Sequence, residues 1–197
     1  YILHTSGSTG IPKGVMISHL NAITFINWAY GYFKIKPEDQ VANHAPFHFD
    51  LSIFDIFVTI KAGATLNIVP PIISKFPVRL SQFISDKKIT IWYSVPSALI
   101  LLLNHGLLEQ KDLSNLCYIL FAGEVFPLKH LQNLMQLLPN AQYYNLYGPT
   151  ETNVITCYHV KEIPQKPIPI GKVCKNMEAF ALDERGNLIT EPGTVGE

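Results

Sequence analysis

Residues 89–104 read ITIWYSVPSALILLLN, and the order of signals within them sets the fold. Ile89 to Tyr93 is an apolar run of strand length. Ser94 and Pro96 then supply a start signal for a helix over Ser97 to Asn104. The same alternation surrounds this stretch. Upstream, Thr65 to Val69 is predicted as a strand and Val78 to Asp86 as a helix. Downstream, Cys117 to Ala122 is strand-like, and Leu128, Leu131, Leu134, Met135 and Leu138 follow at helical spacing, started near Pro127 and stopped by Pro139-Asn140. Gln142 to Leu146 closes the series as a strand. The repetition predicts an α/β fold, a mostly parallel sheet flanked by helices, and such sheets bind ligands outside the carboxyl ends of their strands. Three strand ends, Tyr93-Ser94, Ala122-Gly123-Glu124 and Leu146 to Glu151, should therefore open onto one crevice. Beyond residue 160, Pro164, Pro167 and Pro169 break the chain. There Ala179 to Leu182 and Asn187 to Ile189 are expected to pair through a turn at Glu184-Arg185-Gly186, a small β segment.

The 197 residues are 48% hydrophobic and 15% charged, with 15 basic and 15 acidic side chains. A sizeable core is affordable, and no net charge exists to attract nucleic acid or an anionic membrane. The most apolar stretch, Ile91 to Leu103, is shorter than the roughly 20 residues a bilayer takes and is broken by Ser94, Pro96 and Ser97, so it is read as core. Cys117, Cys157 and Cys174 are an odd number at wide spacings, which favours reduced thiols and a cytoplasmic protein. His44 and His48 are four apart, but Pro46 between them argues against a zinc pair on one helical face.

Four short stretches carry candidate chemistry. Thr5 to Gly14, TSGSTGIPKG, joins strand-like Tyr1 to His4 and Val15 to Ile17. Gly7, Gly10 and Gly14 permit close backbone approach, Thr5, Ser6, Ser8 and Thr9 offer hydroxyls, and Lys13 adds a point charge, a set that suits phosphate oxygens. The same residues make an ordinary turn, and composition does not separate the two readings. A Walker A loop is excluded: from Gly7, Pro12 stands where the second glycine belongs and Gly14 where Ser or Thr belongs, and a strand follows instead of a helix.

Tyr147 to Glu151, YGPTE, sets an aromatic ring, a turn, a hydroxyl and a carboxylate at a strand end; the alternative is a helix start with Thr150 as N-cap. Asp50 sits in a strongly apolar neighbourhood, where a carboxylate needs a cation or several donors, and an ammonium group on a ligand would satisfy it. Its alternative is again an N-cap, opening a helix through Ile60. Gly123-Glu124 after its strand reads by itself as a turn glycine.

Thr5 to Gly14, His48 to Ser52, Ala122 to Glu124 and Asn145 to Glu151 resemble, in order and approximate spacing, the core motifs of the adenylate-forming enzymes. Phe49-Asp50-x-Ser52 with Gly148-Pro149-Thr150-Glu151 is similar to the amino-acid-activating branch, the adenylation domains of peptide synthetases. The resemblance implies that Thr5, Ser6, Gly7, Ser8, Thr9, Gly10 and Lys13 hold the ATP phosphates. It implies that Gly123 and Glu124 border the adenine and that Asn145, Tyr147 and Gly148 hold and stack it. Thr150 would contact phosphate, Glu151 would bind Mg²⁺, and Asp50 would pair with the substrate α-ammonium. Thr150, Glu151 and Lys13 would then be the catalytic residues in this chain.

The positions that line the side-chain pocket in the family correspond to Leu51, Phe54, Tyr93, Leu120, Ala122, Leu146, Val154 and Ile155. The set looks most like that of free-standing proline-activating enzymes that load a carrier protein, with D-alanine ligases of the same kind as the runner-up. An acyl-CoA synthetase is disfavoured by Asp50. A nucleotide-binding module without catalysis is the reading from another class. The resemblance also implies that the chain is part of the large N-terminal domain of a longer enzyme. Residues to about 160 would be its α/β core and about 161–197 the start of a β subdomain; the family's ribose-binding aspartate, hinge and lysine-bearing C-terminal domain are absent from this sequence.

Overall fold

The structure is a computed structural model that describes residues 1–5, 12–191 and 193–196. Strands β1 (Ile2–Thr5) and β2 (Lys13–Met16) form an antiparallel pair, Thr5 opposite Lys13, as the flanking runs predict. Helix α1 (His19–Phe33) follows, then β3 (Gln40–Asn43). Next come a short helix α2 (Leu51–Ile53), a π-helical stretch Phe54–Val58 and α3 (Thr59–Ala62). The chain continues through β4 (Thr65–Ile68), α4 (Pro71–Ser74), α5 (Pro77–Asp86), β5 (Ile91–Ser94) and α6 (Pro96–His105) to a 3₁₀ turn at Leu108–Gln110. It ends with β6 (Tyr118–Phe121), α7 (Leu128–Leu137), β7 (Gln142–Tyr147), β8 (Thr156–Val160) and β9 (Lys172–Val173).

One seven-stranded sheet organises these elements in the order β4-β3-β5-β6-β7-β8-β9. The pairs from β4 to β7 are parallel, and β8 and β9 return antiparallel. A fold of mostly parallel strands flanked by helices is what the alternation predicts. The series does not close at β7, however. The link from β7 to β8 is too short for a crossover helix, so the next strand has to run back beside it. The run Thr156 to Val160, rich in β-branched and aromatic residues, was the signal.

Alternation along each strand divides the core in two. Ala42, Trp92, Ile119, Phe121 and Tyr143 face a cluster with Leu80 and Ile84 of α5, Leu99 and Leu102 of α6, and Leu131, Leu134 and Met135 of α7. Val41, Ile91, Tyr93, Leu120, Ala122, Tyr144 and Leu146 face the other side, against Phe25, Ala29 and Phe33 of α1 and Ile53, Phe54, Val58 and Ala62 beyond β3. Helix α1 starts at a capping box in which the Asn21 N–H donates to Ser18 Oγ and the Ser18 N–H to Asn21 Oδ1.

Two expected start signals are corrected. Ser94 does not start α6: it ends β5, is buried, and its hydroxyl accepts from Trp92 Nε1 at 2.9 Å. The cap comes from another loop, because the Glu124 carboxylate accepts from the Ser97 N–H at 2.9 Å and the Ser97 hydroxyl at 3.0 Å. Nor does Thr150 open a helix, since residues 150–152 form a turn. The small β segment of the tail is present as a single antiparallel bridge, Leu182 to Leu188, with the Asp183 carboxylate accepting from the Arg185 and Asn187 N–H groups. All three cysteines are free thiols, and among the described residues no helix is long and apolar enough to cross a membrane.

The fully enclosed acid near Asp50 is a different residue, Asp55 in the π-helical stretch. Asn43 Nδ2 donates to its Oδ2 at 3.0 Å, while Oδ1 is buried without a partner. Burial pushes this carboxyl well above the ordinary range and the Asn43 amide offsets part of that, so the folded chain holds the Asp55 proton to a higher pH than the unfolded chain does. The sign follows. Below the usual value of 3.8 both folded and unfolded chains hold the proton; above it only the folded chain does, and stability falls by about 1.4 kcal/mol per pH unit until the folded pKa is reached. Asp55→Asn, which keeps the amide contact without the ionisation, should flatten the decline in melting temperature as pH rises above the usual carboxyl value of 3.8; parallel declines in the two proteins would contradict this.

Candidate active site

Parallel pairing aligns Ser94 of β5 with Phe121 of β6 and Asn145 of β7, so the chain leaves all three strands along one edge of the sheet. Strand β3, parallel to β5, ends at the same edge and delivers residues 44–50 to it. The strand ends β6 and β7 enclose a cleft of about 320 Å³ lined by Gly123, Glu124, Asn145, Tyr147 and Gly148, with Pro167, Ile168 and Ile170 opposite. Gly123 has φ +87, which carries the chain over the end of β6. Tyr147 is half exposed, its ring free to stack, whereas Asn145 Nδ2 is already engaged, donating to the Pro169 carbonyl at 3.0 Å.

After Gly148 the chain makes a closed turn. The Asn153 N–H donates to the Pro149 carbonyl at 2.9 Å and the Ile155 N–H to the Tyr147 carbonyl at 2.7 Å. Thr150 is half-buried and Glu151 exposed on this turn. Asp50 lies beside it. Burial raises its carboxyl above the ordinary value; the Thr150 hydroxyl and nearby backbone N–H groups pull it down, and the Glu151 charge pushes it up again. None of these influences is a cation. Asp50 also does not cap α2: its backbone is already helical (φ −63, ψ −26), which keeps the side chain from reaching the first-turn N–H groups in the usual way.

The expected pocket positions share the second face of the sheet. Phe54, Tyr93, Leu120, Ala122, Leu146 and Val154 are buried there, with Leu51 partly buried against them. Ile155 is half-buried at the end of the turn. Burial and, secondarily, the Asp50 and Asp55 charges raise the Tyr93 phenol far above its usual range, so it is a neutral hydroxyl in an otherwise apolar set. Thr5 and Lys13 close the β1–β2 pair, Lys13 exposed; Ser6, Gly7, Ser8, Thr9 and Gly10 lie outside the described residues. The side chain of Tyr1, just before β1, carries the influence of both Asn153 and Asp50, which places this end of the pair beside the turn. Among the described residues no group of three His, Cys, Asp or Glu side chains gathers to hold a metal, the His44 and His48 pair included.

The AMP-binding enzyme family model matches residues 1–197. The chain belongs to that family. An L-proline-(L-prolyl-carrier protein) ligase of Streptomyces coelicolor is 45% identical over 202 residues, covering 100% of this chain and 38% of the relative. A D-alanine-D-alanyl carrier protein ligase of Bacillus velezensis is 35% identical over 201 residues, covering 100% and 40%. Among solved structures, the Vibrio cholerae adenylation domain AlmE in complex with glycyl-adenosine-5'-phosphate superposes with a TM-score of 0.83 at 30% identity, over 96% of this chain and 36% of that one. The chain spans about two fifths of the length of the curated relatives it matches.

Two site features were not read from the sequence. The sequence does not separate Asp55 from Asp50, since an acid flanked by Phe54 and Ile56 is as conspicuous as one flanked by Phe49 and Leu51. Asn153 carries no local signal, because its role depends on a contact 103 residues away. The turn itself is tightly filled: a Cβ on Gly148 would lie 2.5 Å from the Asn153 carbonyl oxygen and 2.9 Å from Ile155 N, both backbone atoms that have no room to yield. Gly148→Ala should therefore destabilise the chain by about 1–3 kcal/mol in urea unfolding; an unchanged midpoint would show that the turn is looser than described.

Proposed function

We propose that the protein carrying this chain activates an amino acid as its aminoacyl-adenylate and passes the aminoacyl group to the thiol of a carrier protein. The observation that carries this reading is Asp50: a part-buried carboxylate, without a cationic partner among the influences on it, beside the turn that bears Thr150 and Glu151. An α-ammonium group would supply the missing charge.

In this reading the adenine lies in the cleft between Gly123-Glu124 and Tyr147, whose ring stacks on it, with Asn145 and Gly148 at its edge. Thr5, Ser6, Gly7, Ser8, Thr9, Gly10 and Lys13 hold the phosphates, and Thr150 adds a hydroxyl. A substrate carboxylate oxygen attacks the α-phosphorus as the bond to pyrophosphate breaks. The carrier thiol then attacks the acyl carbon and AMP leaves. Catalysis here is positioning and charge neutralisation, with Lys13 steadying the departing pyrophosphate. Glu151, an exposed carboxylate beside the Thr150 hydroxyl, fits Mg²⁺, a hard ion that takes one or two carboxylates and completes its shell with water and phosphate. When bound, that ion would neutralise phosphate charge.

The pocket positions Leu51, Phe54, Tyr93, Leu120, Ala122, Leu146, Val154 and Ile155 suit a small apolar side chain and exclude a charged one. L-Proline is the substrate this favours, in keeping with the name of the relative at 45% identity; D-alanine is the second reading, carried by the relative at 35%. The setting is cytoplasmic, residues to about 160 form the α/β core, and 161–197 begin a β subdomain, with β9 still joined to the main sheet.

Pyrophosphate exchange by the full-length protein over a panel of amino acids tests this. L-Proline should give the highest kcat/KM. Asp50→Ala should lower it by about 10- to 100-fold, the worth of one charge-assisted bond, with ATP affinity retained. Exchange that needs no α-amino group, or is indifferent to Asp50, would contradict the proposal.

A further inference from the structure

Asn153 is the one buried residue among the described non-glycine positions with positive φ; Lys34, Lys88, Leu107 and Asn176 are exposed. It has φ +65 and is 8% exposed. Asparagine tolerates this backbone better than most residues, and glycine tolerates it best. Tolerance explains the backbone but not the side chain, which reaches out of its own turn. Asn153 Nδ2 donates to the main-chain carbonyl of Asp50 at 3.0 Å, across 103 residues of sequence. That carbonyl also accepts from the Ile53 N–H at 3.0 Å, so Asp50 is tied both to its own helix start and to the turn after β7.

The turn end of this contact is rigid. β7 and β8 pair from Tyr143 with Val160 to Tyr147 with Thr156, the Tyr147 carbonyl accepts from the Ile155 N–H, and the Asn153 carbonyl fills the space over Gly148. Asp50 follows residues 44–49, which form no regular element, and precedes the continuous helical run from Leu51 to Ala62. Local bonds hold this segment to itself, the Phe49 N–H to the Pro46 carbonyl and the Ser52 hydroxyl to the Phe49 carbonyl, and the strand-anchored Asn153 amide ties its main chain to the turn after β7. Tyr1 meets the same side chain, which offsets part of the rise that burial imposes on its phenol, so the start of the β1–β2 pair converges on the same point.

We infer that Asn153 is a positioning residue whose side-chain amide sets the main chain at Asp50, and with it the place of the bound ammonium group relative to Thr150 and Glu151. This rests on the reading of Asp50 as the ammonium anchor. Asn153 touches neither substrate nor nucleotide in it. Besides the Tyr1 side chain, the amide's contact is to the Asp50 main chain, and its loss should be felt by the amino acid more than by ATP.

Two variants of the full-length protein separate the amide from the backbone. Asn153→Gly keeps the left-handed conformation and leaves the Asp50 carbonyl without its second donor. Asn153→Asp keeps the shape but turns a carboxylate oxygen toward that carbonyl. In pyrophosphate exchange each should raise the KM for the amino acid by about fivefold or more, the worth of one hydrogen bond, with the KM for ATP within about twofold of wild type. A glycine variant with wild-type amino-acid KM would overturn the inference, since only the backbone would then matter. Equal rises in both KM values would overturn it too, because the residue would be supporting the whole crevice. Melting temperatures accompany the kinetics, and either variant that folds decides the question. Wild-type protein without amino-acid-dependent exchange would remove the ammonium anchor itself, and both readings with it.

Discussion

Parallel pairing of β3, β5, β6 and β7 is the constraint on which the site depends. Parallel neighbours require a crossover between successive strands, so every chain leaves the sheet at the same edge and returns behind it. Residues far apart in sequence, Asp50 after β3, Gly123 after β6 and Tyr147 at the end of β7, are gathered there with no direct attraction between them. The helices on the two faces serve this arrangement by burying both surfaces of the sheet. The antiparallel return of β8 adds a second effect: it clamps the turn at residues 148–155 between two paired strands, and makes that turn the stiff part of the crevice.

Two nearby acids show how environment divides roles. Asp55 is enclosed, bonded on one oxygen by Asn43, and burial pushes its carboxyl well above the usual range. It holds structure together and offers nothing to a ligand. Asp50, five residues earlier, keeps access to the crevice, and its carboxyl is raised without being sealed. A carboxylate in that condition gains most from a cation arriving with the ligand, while Asp55 could not be reached by one. The π-helical stretch between Phe54 and Val58 accompanies this division, with Phe54 turned into the apolar face and Asp55 toward Asn43.

The middle of the fold was legible because period and punctuation agree there. Prolines 77, 96 and 127 mark helix starts, and the strands from Thr65 to Leu146 are short apolar runs between them. The first 64 residues were harder to read. Helix α1 is apolar on nearly every side, from Leu20 and Ile23 outside to Phe25 and Phe33 inside, so its period is weak. The Glu124 cap on α6 and the Asn153 contact to Asp50 are tertiary bonds with no local spacing to betray them. The motif residues were legible as chemistry; that Asp50 and Thr150 meet at one place came only from the sheet topology.

A structure of the full-length protein bound to a hydrolysis-resistant prolyl-adenylate analogue tests the central claim, that the strand ends form one site for nucleotide and amino acid together. The purine should lie in the cleft between Gly123-Glu124 and Tyr147, with the prolyl ammonium on the Asp50 carboxylate. Density for the analogue away from that edge, or an ammonium that makes no contact with Asp50, would contradict the account.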